Sequence, residues 1–191
     1  MQLNRKDIIL YPTDTIYGLG VIATDSEAVL RLKDLKGRDE EKPISVAVAD
    51  EAMLRQYTKV TPLAEKLIEK FLPGKLTLIL NVQDAGLEHL AAQDGSVGFR
   101  IPDRKEALDL IQEIGAPITA TSANVSGMST EYTSEKILEQ FGKRSHEITQ
   151  VVDVGELPPS EASTVVDARG DEPVIVREGA VPTVAILKAL G

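Results

Sequence analysis

The sequence predicts an α/β fold built on a mixed β-sheet. Short β-branched and aliphatic runs alternate along the chain with stretches whose apolar residues recur at helical spacing. The last three extended runs lie close together with only turns between them. That hairpin-like spacing adds antiparallel pairing to a sheet that interleaved helices would otherwise make parallel. No repeat, low-complexity tract or linker interrupts the 191 residues, so residues 1–191 read as one domain with its own core.

Ile8, Ile9 and Leu10 suit a strand buried on both faces. Pro12 cannot donate to a ladder, so pairing is expected to stop there and the chain to turn. Thr13, Asp14 and Thr15 follow, residues that bond nearby backbone as readily as a ligand. Gly18 and Gly20 permit approaches that a Cβ would block. Thr24 and Glu27 stand at capping-box spacing, and Ala28, Val29, Leu32 and Leu35 recur with helical period. A helix from about Asp25 to Lys36 is therefore expected, ended by Gly37.

Ile44 to Ala49 reads as a strand. Thr61 to Phe71 reads as a helix with Leu63, Leu67 and Phe71 as its apolar stripe, stopped by Pro73-Gly74. Leu76 to Val82 is a strand, Asp84 to Gly95 a polar connection, and Val97 to Ile101 a strand ended by Pro102. A helix follows from about Lys105 to Ile114, closed by Gly115. Pro117 to Ala120 reads as a short buried strand that runs into the polar turn Thr121 to Gly127. Ser134 to Phe141 is helical, with Gly142 beyond it. Val151 to Val154, Thr164 to Asp167 and Val174 to Arg177 are strands, and Pro182 to Leu190 closes the chain as a short helix.

Composition removes several classes of chemistry. Cysteine is absent, which excludes disulfides, thiolate metal sites and a cysteine nucleophile. The two histidines, His89 and His146, have no ligand-spaced partner and read as solvated surface residues. Neither a Walker sequence nor a Rossmann fingerprint follows the first strand. No apolar run approaches the ~20 residues of a membrane span, and Met1 to Asp7 is polar, so a cytoplasmic protein without membrane contact is expected. The net charge of -9 argues against broad non-specific binding of nucleic acid but leaves room for a local basic pocket.

What remains is a set of strand-end turns rich in hydroxyls, amides and cations: Thr13 to Thr15, Lys36 to Lys42, Arg100, Ser122 to Ser126, Ser163-Thr164 and Arg177. Such groups at the ends of strands can converge on one crevice. Arginine's planar fork grips phosphate or carboxylate with two bonds. Lys36 and Arg38 flank a glycine at a helix end, where they either complement the helix dipole or turn toward one ligand. Arg100 lies between Phe99 and Ile101 and must meet an anion or reach solvent; an internal salt bridge and a ligand both satisfy that demand. Arg177 has Glu178 beside it as a local partner, and Ser122 and Asn124 serve a turn as well as a ligand.

The combination is more specific than its parts. Tyr11-Pro-Thr-Asp-Thr-Ile-Tyr-Gly-Leu-Gly20, Lys36-Gly-Arg38 and Ser122-Ala-Asn124 resemble the YrdC-domain family of threonylcarbamoyl-AMP synthases. The likeness continues through Val97-Gly-Phe-Arg-Ile-Pro102, Ser163-Thr-Val-Val-Asp167 and Ile175-Val-Arg-Glu-Gly179. It implies a twisted mixed β-sheet flanked by helices, with a concave positive cavity. It also implies a reaction in which L-threonine, bicarbonate or CO2, and ATP give threonylcarbamoyl-AMP and pyrophosphate. The product would pass to a separate tRNA threonylcarbamoyl transferase complex that modifies adenosine 37. Carried over by motif position, Thr15, Ser122 and Ser163 would contact threonine. Arg38, Lys42, Arg100, Asn124 and Arg177 would hold ATP, with Lys36 and Arg38 as the catalytic cations. Magnesium (Mg2+) is expected on the ATP phosphates.

The chain departs from the family pattern at Ala47 and Arg104, where relatives often carry histidine, so neither contact is carried over. Only seven residues precede Ile8, where relatives usually have a helix, and no extra C-terminal domain is expected, which makes this the short, single-domain type. Two other readings are kept. One is a non-catalytic RNA-binding or ribosome-assembly factor, motivated by the cations Lys33, Lys36, Arg38 and Lys42 and compatible with a weak tRNA contact. The acidic total and an aromatic content of 4% weigh against it. The other is a paralogue with a changed acceptor.

Overall fold

A computed structural model describes residues 7–83 and 86–191. The polar run Met1 to Lys6 and the start of the Asp84 to Gly95 connection lie outside the described residues. Among the described residues nine strands form one sheet: β1 (Ile8–Tyr11), β2 (Gly18–Gly20), β3 (Ser45–Ala47), β4 (Leu76–Asn81), β5 (Ser96–Arg100), β6 (Ile118–Ser122), β7 (Ile148–Val151), β8 (Thr164–Asp167) and β9 (Val174–Arg177). Their order across the sheet is β7-β1-β2-β6-β3-β5-β4-β8-β9. Parallel pairing joins β1 to β7, β3 to β5 and β4 to β8, and the remaining neighbours are antiparallel. The mixed sheet is as expected.

Alternation along β1 sends Ile8 and Leu10 into the main core and Ile9 and Tyr11 into a second cluster, so this strand is buried on both faces. The main core takes Ala28, Val29, Leu32 and Leu35 from α1 (Ser26–Lys36), together with Leu63, Ala64, Leu67 and Ile68. The last four belong to the helix Pro62–Phe71. The second cluster takes Ala107, Leu110 and Ile111 from the helix Lys105–Ile114. Helices therefore cover both sides of the sheet.

Five local expectations are corrected. The strand Gly18–Gly20 is built where only a permissive turn was read: the Tyr11 ring lies over it, and a Cβ on Gly20 would come within 2.9 Å of the ring and 3.1 Å of the Thr119 carbonyl. Asp25, not Thr24, caps α1, its carboxylate accepting from the Ala28 amide at 3.0 Å. A helix over Glu51–Tyr57, capped by Asp50, was not anticipated. Strand β6 runs on through Thr121 and Ser122 because both pair with β2. Strand β7 is Ile148–Val151, three residues before the expected start at Val151. Beyond Val152 the chain leaves the sheet, because the Tyr17 hydroxyl accepts from the Val154 amide and donates to the Gly155 carbonyl.

Candidate nucleotide and amino-acid site

Strand ends meet around a cavity of about 270 Å³. The β1–β2 turn supplies Thr13 and Thr15, β5 supplies Arg100, β6 supplies Ser122, Ser163 immediately precedes β8, and Arg177 ends β9. Arg38 reaches the same wall because Gly37, at φ 59°, ends α1 in the left-handed region and turns the chain. Six of the anticipated residues, Thr15, Arg38, Arg100, Ser122, Ser163 and Arg177, thus share one wall although they span most of the sequence.

Three anticipated residues stand elsewhere. Lys36 is 1% exposed and does not line the cavity; its ammonium donates to the Ser122 carbonyl, to the Asn124 carbonyl at 2.6 Å and to Asn124 Oδ1 at 3.5 Å. Asn124 lies just behind the wall, with its Oδ1 accepting from the Ser122 hydroxyl and its Nδ2 donating to the Met128 carbonyl at 2.7 Å. Lys42 is exposed and away from the cavity lining.

The hydroxyls are held in place by one another. Thr13 Oγ1 accepts from the Thr15 and Ile16 amides, donates to the Ile16 carbonyl at 2.7 Å and lies 2.9 Å from Thr15 Oγ1. Ser163 Oγ shares a hydrogen bond of 2.8 Å with Thr77 Oγ1. Sequence reading missed Thr77, since its place in an alternating strand gave no sign of a polar partner. Ser45 and Thr130 also line the cavity and carried no signal of their own.

The cations differ in how they are neutralised. Arg100 is the buried pair that sequence left open: its Nη2 meets Asp14 Oδ1 at 2.5 Å, with side-chain exposures of 8% and 6%. Among the described residues Arg38 and Arg177 form hydrogen bonds to carbonyls, those of Pro43 at 2.8 Å and Ser163 at 2.7 Å, with the charge of Asp39 acting on Arg38. Among the described residues Arg177 forms no ion pair with Glu178, whose carboxylate accepts from the Thr183 hydroxyl. Burial lowers the Arg38 pKa, and burial followed by the charge of Arg100 lowers that of Arg177. Burial and then the charge of Arg38 push Lys36 down to about 7. A cavity with under-neutralised guanidinium groups favours a bound anion. Both histidines are exposed, and Ala47 is buried in the second cluster while Arg104 pairs with Glu106 at 2.8 Å.

A family profile described as telomere recombination, covering Sua5, YciO and YrdC, matches residues 1–179. The chain belongs to the Sua5/YciO/YrdC family. Within the family it is 36% identical over 181 residues to a putative threonylcarbamoyl-AMP synthase of Methanocaldococcus jannaschii, covering 94% of this chain and 83% of that one. It is 36% identical over 191 residues to the threonylcarbamoyl-AMP synthase of Bacillus subtilis, covering 99% of this chain and 54% of that one. The crystal structure of Pyrococcus abyssi Sua5 complexed with L-threonine superposes with a TM-score of 0.90 at 34% identity, covering 97% of this chain and 54% of that one. The chain thus spans about half the length of these last two relatives. The Sua5/YciO/YrdC fold is the twisted mixed sheet with flanking helices described above.

Proposed function

We propose that this protein is a threonylcarbamoyl-AMP synthase that condenses L-threonine, bicarbonate or CO2, and ATP, releasing pyrophosphate. The observation that carries the reading is the convergence of Thr15, Arg38, Arg100, Ser122, Ser163 and Arg177 on one cavity. Arg38 and Arg177 bind the triphosphate, and each charge-assisted bond contributes about 1.5–3 kcal/mol. Arg100 completes the ATP contacts. Thr15, Ser122 and Ser163 orient threonine, whose amine adds to CO2 with loss of a proton. A carbamate oxygen then attacks the α-phosphorus, and the bond to the β-phosphate oxygen breaks to release pyrophosphate. Such a transfer needs alignment and charge neutralisation rather than a protein nucleophile.

Lys36 acts behind the wall. Its ammonium organises the Ser122–Asn124 turn and, close to Arg38, adds positive potential where charge collects on the phosphates. Lys42 lies at the exposed end of the same loop and joins the ATP contacts only if that loop closes. The donor set suits magnesium carried on the nucleotide, where it would share the phosphate charge. No group of three or more histidine, cysteine, aspartate or glutamate residues among the described residues forms a metal cage, and Asp14 is committed to Arg100.

The RNA-binding reading loses much of its motive, since Lys33 and Lys36 are 4% and 1% exposed. Among the described residues no helix is long and apolar enough to cross a membrane. The test is pyrophosphate release by the purified protein. It is expected with ATP, threonine and bicarbonate together, and release that ignores the omission of threonine would overturn the assignment.

A further inference from the structure

We propose that Asp14 is a positioning residue that acts through Arg100. The inference rests on the reading of Arg100 as a nucleotide contact. Arg100 ends β5, the strand between β3 and β4, and a guanidinium with 8% exposure there needs an anion. Asp14 supplies it from behind, since its own carboxylate is not part of the cavity lining.

The turn around Asp14 is built for that purpose. Thr13 Oγ1 ties together the amides of Thr15 and Ile16, which fixes Asp14 at the apex of the turn relative to Thr15. Arg100 Nη1 donates to Thr15 Oγ1 at 3.4 Å, and Thr15 Oγ1 bonds Thr13 Oγ1. Hydrogen bonds therefore run from Thr13 through Thr15 and Arg100 to Asp14, and the backbone of the turn joins Asp14 to both threonines. Three of these four residues line the cavity, and Asp14 braces them.

The form of the ion pair points the same way. Asp14 Oδ2 and Arg100 Nε are both buried without a partner. A pair built for stability alone would engage both forks side by side, because bidentate pairing is stronger and buried unpaired atoms are costly. The single contact through Nη2 forgoes that second bond. It holds the guanidinium by its tip, an arrangement that serves orientation better than maximal pairing.

The test is a double-mutant cycle on the full chain with Asp14→Asn, Arg100→Gln and the double variant, reading kcat/KM for ATP and Tm. If Asp14 acts through Arg100, the double variant loses no more kcat/KM than Arg100→Gln alone, within about twofold. Its Tm also exceeds that of Asp14→Asn, which leaves a buried cation unpaired. Losses that multiply would overturn the proposal, as would an Asp14→Asn protein with lowered Tm and unchanged kcat/KM. Should Asp14→Asn fail to fold, Asp14→Glu keeps the charge but displaces it. It is expected to fold and to lose at least about fivefold in kcat/KM, and wild-type kinetics there would overturn the proposal. If the wild-type protein itself releases no pyrophosphate, the functional reading fails separately. The same cycle is then read by ATP affinity in calorimetry, with the same criterion.

Discussion

Lys36, the last residue of α1, donates from its ammonium to the backbone carbonyl of Asn124 at 2.6 Å, across 88 positions of sequence. This bond joins the basic loop to the turn that follows β6, and it buries a cation almost completely beside a second cation, Arg38. Burial is the larger cause of the lowered Lys36 pKa, and Arg38 is the smaller.

That shift has a definite consequence for stability. In the fold Lys36 titrates at about 7, against 10.5 for an unperturbed lysine. Between those values the unfolded chain binds more protons, so stability rises with pH across that window; below about 7 both states are protonated and the dependence vanishes. Urea unfolding of the unliganded protein should therefore show a steeper rise from pH 7 to 10 than Lys36→Met does. Equal slopes would mean that the ammonium is not desolvated.

Arg38→Ala and Arg177→Ala each remove a guanidinium that is in no ion pair with a carboxylate among the described residues. The loss of one charge-assisted contact corresponds to about tenfold to a hundredfold in kcat/KM for ATP. Stability should change little, because neither arginine leaves a buried counter-charge behind. Steady-state kinetics with a thermal melt checks both statements. A variant with the wild-type rate would take its residue out of the nucleotide site.

Gly20→Ala should destabilise the fold by about 1–3 kcal/mol, the range for overpacking a well-filled core. The added methyl would meet the Tyr11 ring at 2.9 Å and the Thr119 carbonyl at 3.1 Å, and the carbonyl cannot give way without moving β6. Chemical denaturation should show a lowered midpoint with unchanged slope. A smaller side chain at position 11, in Gly20→Ala/Tyr11→Leu, should recover less than the full loss. Full recovery would place the strain on the ring alone.

Thr77→Val keeps shape but removes the hydroxyl that holds Ser163 Oγ at 2.8 Å. With Ser163 proposed to orient threonine, KM for threonine should rise several-fold while KM for ATP stays near wild type. Equal changes in both would show that the pair supports the wall in general rather than the amino-acid end.

Much of the fold was legible because its signals are local. The helices over Lys105–Ile114 and Ser134–Phe141 combine an apolar stripe with a glycine at the end, and the structure places them at the expected bounds. Six of the anticipated residues line the cavity, and they were legible from the motifs that carry the family resemblance, since hydroxyls and arginines at strand ends taken singly serve a turn or an ion pair as well as a ligand. What stayed hidden depends on contacts across the sheet. Gly18–Gly20 becomes a strand because Tyr11 covers it, and β7 ends early because Tyr17 captures the chain beyond it. Asp14 read as a turn former, since the arginine it pairs with is 86 positions away. The burial of Lys36 was likewise out of reach, because its acceptors belong to β6 and the turn after it.

The most direct measurement is the identity of the product formed from ATP, L-threonine and 13C-labelled bicarbonate, followed by mass spectrometry. The proposed reaction gives an adenylate that carries both threonine and the label, formed with one pyrophosphate and formed about tenfold to a hundredfold more slowly in Arg38→Ala and Arg177→Ala. An adenylate without the label, or nucleotide turnover that yields no threonine adduct, would contradict it.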